Sequence, residues 1–129
     1  MRKWLCMLVC CLSVYVQAQV WTLKEKEPTA PGTWWCFRNT VTLEELPRSL
    51  ELRLAADTKY WLWVNGELQV SEGGLKRGPN PSDTYCDVIT SLPALRVGEN
   101  TVALLVWYFG KDGFSHRNSS TAGISFSLS

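Results

Sequence analysis

The sequence has 129 residues, 46% of them apolar and 19% charged, with 13 basic and 12 acidic side chains and a formal net charge of +1. That length holds one ordinary domain, the apolar share fills one core and excludes disorder, and the near-neutral charge excludes the concentrated positive field that nucleic-acid binding needs. Seven tryptophans are the unusual feature; aromatic residues at that density indicate a β-rich core, a stacking surface for sugars, or both.

The N-terminus reads as an export signal over residues 1–18. Arg2 and Lys3 give a basic start, Trp4 to Val16 is almost wholly apolar, and Val16-Gln17-Ala18 closes the run with small residues at its outer and last positions, so cleavage is expected before Gln19. The apolar run is too short to span a bilayer comfortably, and no later stretch free of charge is longer. The expectation is an exported protein, periplasmic or extracellular, with residues 19–129 forming a single domain and no membrane span in the mature chain. A lipoprotein reading at Cys10 is weaker, because Leu8-Val9 before it lacks the usual small residues. Without Arg2 and Lys3 the 13 basic residues fall to 11 against 12 acidic ones. Cys6, Cys10 and Cys11 leave with the signal; Cys36 and Cys86 remain, expected as two buried free thiols in preference to a disulfide. One histidine and no close cysteine pair in the mature region give no zinc-ligand spacing.

After a polar, Pro-containing lead from Lys24 to Pro31, the chain reads as short strands separated by turn residues, without helical periodicity. Trp34 to Leu43 is the first predicted strand, rich in aromatic and β-branched residues. Leu50, Leu52 and Leu54 alternate with Glu51 and Arg53, the pattern of a strand with one dry face and one wet face. Tyr60-Trp61-Leu62-Trp63-Val64, then Asn65-Gly66, then Glu67 to Val70 predict a hairpin, since Asn-Gly tolerates the positive φ angles of a type I′ turn. Ser71 to Thr84 carries Gly73, Gly74, Gly78, Pro79 and Pro81 and reads as a long loop. Tyr85 to Ile89 is a short strand, and Leu95 to Asn100 a Gly-containing turn. Val102 to Phe109 is apolar on both alternating sets, as expected of a central strand covered on both sides, and Ala122 to Leu128 alternates as a final one-sided strand. About eight short strands predict an all-β fold, a β-sandwich of the jelly-roll, galactose-binding-like type.

Three pieces in order, AADTKYWLWVNGELQV, EGGLKRGPNPSDTYCDV and LRVGENTVALLVWYFGKDGFSH, resemble the N-terminal β-sandwich domain of bacterial α-L-rhamnosidases. The hairpin and the GENTVA strand also recur in galactose-binding-like sandwiches of other exported glycosidases; the RGPNP loop between them and WYFGKDGFSH after them narrow the match. The resemblance covers Trp21 to the end. It implies a parent activity on rhamnose-containing glycans, with the catalytic carboxylates in a separate (α/α) barrel that follows the sandwich. Inverting hydrolysis needs a protonated carboxyl and a second carboxylate about 6.5–9.5 Å apart around the sugar. Because the sequence stops at Ser129, no catalytic residue carries over, and the expectation is an accessory domain, inactive alone, as a truncated product or a free-standing relative.

Trp61 and Trp63 alternate with core-type Tyr60, Leu62 and Val64, so they form either a sugar platform or a surface covered by a neighbouring element or by the barrel. Asn65 and Gly66 are turn residues first, and Asp57 is expected to cap the turn before the hairpin. Arg77 and Asn80, with Lys76, could donate to a glycan or to an acidic partner surface. Lys111, Asp112, His116 and Arg117 follow the long apolar strand as a polar cluster at the end of a rigid element; by resemblance they line the seam with the catalytic domain. Ser115 beside His116 does not make a nucleophile and base, since neighbours in a loop lack that geometry. Glu72, Asp83 and Asp87 raise structural calcium, which sequence spacing alone does not support; no cofactor is expected. The expected partners are a glycan or the catalytic barrel. The alternative function is a free-standing carbohydrate-binding module using exposed tryptophans.

Overall fold

A computed structural model describes residues 19–24, 30–74, 86–114, 118 and 123–128. Among them are eight strands: β1 Gln19–Lys24, β2 Thr33–Leu43, β3 Leu52–Ala56, β4 Lys59–Val64, β5 Glu67–Gly74, β6 Asp87–Ile89, β7 Gly98–Tyr108 and β8 Gly123–Leu128. They form two four-stranded sheets, ordered β1-β8-β3-β6 and β2-β7-β4-β5, with every pairing antiparallel. The two sheets pack face to face as an all-β sandwich, as the strand-and-turn pattern predicts.

Period-two alternation fixes which side chains meet between the sheets. Leu52 and Leu54 enter from β3; Tyr60, Leu62 and Val64 from β4; Val102, Leu104 and Val106 from β7; and Leu92 closes the cluster from the preceding connection. Trp35, Phe37 and Val41 of β2 pack against its side, half-buried. Full burial of a Leu or Val contributes about 1.5–3 kcal/mol, so these positions hold the two layers together.

The β4–β5 turn forms as its Asn-Gly sequence predicts, with φ of 51° at Asn65 and 84° at Gly66. Three elements differ from expectation. β1, Gln19–Lys24, lies ahead of the polar lead and meets it at Lys24, where the sequence pattern assigned no strand. β5 runs on to Gly74, taking in Gly73 and Gly74, which the sequence assigned to a loop. Both glycines are required there: a Cβ at Gly73 would fall on the Tyr60 ring, and at Gly74, which holds φ +86, a Cβ would fall on the Thr58 carbonyl oxygen. The remainder of that loop, 75–85, lies outside the described residues.

The third difference is β7. It is central in its sheet, between β2 and β4, but only Asn100, Val102, Leu104, Val106 and Tyr108 are buried. Thr101, Ala103, Leu105 and Trp107 point out of the sandwich, half-buried. The expectation of cover on both sides is corrected: the second apolar set of β7 serves an outward face. The thiols are corrected too, since Cys36 and Cys86 are free but exposed. Cys36 alternates with Trp35 and Phe37, which turn inward, and this places its side chain outside.

Candidate functional site: the aromatic outer face

The strand register lays out the outer surface of the β2-β7-β4-β5 sheet in rows. One row runs Trp34, Trp107, Lys59; the next Cys36, Leu105, Trp61; the next Arg38, Ala103, Trp63, Leu68; and the last Thr40, Thr101. The face therefore grades from aromatic to polar along the strands. Trp34 stacks on Trp107, with centroids 5.7 Å apart and planes at 21°, and on Trp61, at 5.6 Å and 28°. Phe109 meets Trp107 at 5.4 Å in a tilted contact. These separations lie within the range of favourable offset aromatic pairs, which contribute about 0.5–1.5 kcal/mol beyond their area burial. Small neighbours at Cys36 and Ala103 flank the tryptophans. Trp34 remains 51% exposed and Leu68 49%, so the cluster is open to a partner. Its rim carries the ion pair between Lys59 and Glu72, at 3.0 Å.

Of the residues singled out from sequence, Trp61 and Trp63 stand on this face, both half-buried. Trp61 stacks on Trp34 rather than lying side by side with Trp63 as a flat pair. Trp34 and Trp107 complete the cluster and were not singled out; strand alternation offered the signal, since Trp34 shares its parity with Arg38, and Trp107 with Thr101.

Lys111 and Asp112 are exposed in the segment after β7. Asp112 accepts a bond from the Asn118 backbone N–H, at 2.9 Å, and Tyr108 donates its hydroxyl to the Asn118 side-chain oxygen, at 3.0 Å. Asn118 thus links Asp112 to Tyr108 at the end of β7. Arg77, Asn80, His116 and Arg117, like Asp83 and Ser115, lie outside the described residues.

A cleft of about 550 Å³ lies along the β5 and β6 edges of the sandwich, lined by Tyr60, Val70, Glu72, Asp87 and Ile89 among others. Its centre is a structural bond: the Tyr60 hydroxyl and the Gly74 N–H both donate to Asp87 Oδ2, each at 2.8 Å. Burial first, and the bond to Asp87 second, hold the Tyr60 hydroxyl protonated and push its pKa well above the ordinary tyrosine value. Both carboxylates of the cleft have structural partners, Glu72 with Lys59 and Asp87 with Tyr60. Among the described residues no group of three or more His, Cys, Asp or Glu could hold a metal ion.

No protein-family model and no curated protein sequence matches the chain. Solved structures do. A GH78 family rhamnosidase of Bacillus sp. GL1 aligns with a TM-score of 0.68 and 28% identity over 84% of this chain, and 11% of its own. The α-L-rhamnosidase of Streptomyces avermitilis, solved with L-rhamnose, aligns at 0.54 and 25% over 84% of this chain and 10% of its own. That of Aspergillus terreus, at 0.61 and 18% identity, covers 88% of this chain and 14% of its own, and shares the fold. The sequence thus spans about a tenth of the length of these enzymes. By fold, and by 28% and 25% identity to the first two, the chain is similar to one part of these α-L-rhamnosidases.

Proposed function

We propose that the chain is a non-catalytic accessory domain of an α-L-rhamnosidase-type glycoside hydrolase acting on rhamnose-containing glycans, and that its aromatic outer face packs against the catalytic barrel. The observation that carries this reading is the Trp107–Trp34–Trp61 stack on an otherwise half-open sheet face. An apolar patch with a polar rim is characteristic of a surface made to be covered by another protein surface. A sugar platform instead needs several indole faces laid side by side and free for the C–H face of a ring, and here Trp61 and Trp107 are turned onto Trp34, which is left as the single half-exposed ring of the stack. The cleft carboxylates support the same reading, because a general acid and a general base must be free to exchange protons with substrate and water.

The second reading, a carbohydrate-binding module, draws on the exposure of Trp34 and on Trp63 beside the stack. Titration of the purified chain with L-rhamnose, rhamnogalacturonan fragments and galactose, followed by tryptophan emission, separates the two. The accessory reading expects no saturable change at millimolar sugar, together with binding of an apolar dye that Trp34→Ala weakens. A saturable response to one sugar, lost in Trp34→Ala or Trp63→Ala, would replace it with the module reading.

A further inference from the structure

The four outer strands of the sandwich are β1, β6, β2 and β5, and exposed edges of this kind are templates for pairing with another chain unless something blunts them. β6 is three residues long and β1 six. β5 is interrupted by register shifts against β4 and by positive φ at Glu72. β2 has none of these devices: it is 11 residues long, keeps one-to-one register with β7 throughout, contains no proline, and carries Arg38 as its one charge.

Hydrogen-bond parity shows which groups of β2 face outward. In β7, Thr101 exchanges bonds with Asn65 at the end of β4, its carbonyl accepting from the Asn65 N–H and its N–H donating to Asn65 Oδ1. The Phe109 N–H also points to the β4 side, donating to Thr58 Oγ1 at 3.0 Å. Odd-numbered residues of β7 therefore serve β4, and even-numbered ones serve β2. By register these even residues face Thr33, Trp35, Phe37, Asn39 and Val41. Among the described residues no strand takes up the outward N–H and C=O groups of Trp34, Cys36, Arg38, Thr40 and Thr42. Thr40 confirms the parity, since its N–H is taken by the Asn39 side chain, at 2.8 Å. That bond closes the far part of the edge and leaves Trp34 to Arg38 as the open segment.

From this we infer that β2 is a self-association edge: a second copy of the chain adds antiparallel across a two-fold axis at Cys36, joining the two β2-β7-β4-β5 sheets into one. The occupant is chosen by complementarity. Centring on Arg38 would set two arginines opposite each other, which is unfavourable. Centring on Cys36 sets Arg38 of each copy opposite Trp34 of the other on the outer face, cation against a half-exposed indole, and pairs the two small thiols. Arg38 takes part in neither ion pair found among the described residues. The edge adjoins the aromatic face of the proposed function and shares Trp34 with it, but its test reads association and cross-linking at Cys36, which that reading does not require.

Sedimentation of the purified chain at concentrations up to about 100 μM is the first measurement, and a dimer is expected. In a chain with Cys6, Cys10, Cys11 and Cys86 changed to serine, copper–phenanthroline oxidation should join the copies through Cys36, because antiparallel partners bring their Cα atoms to about 5.5 Å, inside the range a disulfide spans. Arg38→Pro removes an outward N–H without breaking the β7 ladder and should weaken dimerisation by about tenfold or more. Cys36→Lys, which sets two cations at the axis, gives a second disrupting variant if the proline chain does not fold. A monomer throughout the range overturns the inference. So does a dimer that resists both variants or fails to cross-link at Cys36, for its interface would lie elsewhere.

Discussion

Asn65 and Asn100 share one hydrogen bond, from Nδ2 to Oδ1 at 2.9 Å, and through it the β4–β5 turn is bolted to the start of β7. Asn65 also donates to the Ala94 carbonyl and accepts from the Thr101 N–H. Asn100 is fully buried; it donates to the Arg96 and Gly98 carbonyls and accepts from the Arg96 N–H as well. The residue that looks like simple turn chemistry therefore also anchors the connection before β7.

Asn100→Ala should destabilise the fold by about 3 kcal/mol, because it leaves several buried groups without partners. Asn65→Gly keeps the positive φ of the turn and removes only the side-chain bonds, for an expected loss of about 1–2 kcal/mol. Urea unfolding of both variants checks this. If Asn65→Gly matches the parent chain, the turn is all that Asn65 supplies.

The Tyr60–Asp87 bond predicts an alkaline signature. A tyrosine pKa raised in the folded state contributes stability that is fully present below the unfolded value of about 10 and is lost as pH rises toward the folded value. Tyr60→Phe should cost about 2 kcal/mol near neutral pH, since the partner is a carboxylate. The gap between parent and variant should narrow as pH rises above about 10. Unfolding curves collected across that range test it, and a gap constant with pH contradicts it.

Gly73→Ala places a methyl group against the Tyr60 ring, which has no room to retreat because Tyr60 is fully buried. Overpacking of this kind costs about 1–3 kcal/mol. In the double variant Gly73→Ala, Tyr60→Leu, the smaller side chain makes room, so the two losses should be less than additive in thermal melts.

Local pattern made much of this fold legible. The Leu52 and Leu54 alternation, the Asn65-Gly66 turn and the Tyr60, Leu62, Val64 inner set each rest on neighbours in sequence, and each appears where alternation or turn chemistry puts it. The aromatic cluster was half legible. Trp61 and Trp63 follow from the alternation of β4, but Trp34 reaches Trp61 across β7, and only the strand order brings them together. In β7 both alternating sets are apolar, so periodicity cannot distinguish a doubly covered strand from one with an apolar outer face. The thiol of Cys36 was misjudged because the general tendency of cysteine to be buried outweighed the alternation of its own strand. The Asn65–Asn100 bond spans 35 residues and leaves no local trace.

The most direct test of the account is a hydrolysis assay of the purified chain on an aryl α-L-rhamnoside, with contaminating hydrolases removed. An accessory sandwich domain predicts no release of rhamnose above the buffer rate at any protein concentration. Release at a rate proportional to the concentration of the chain would contradict it.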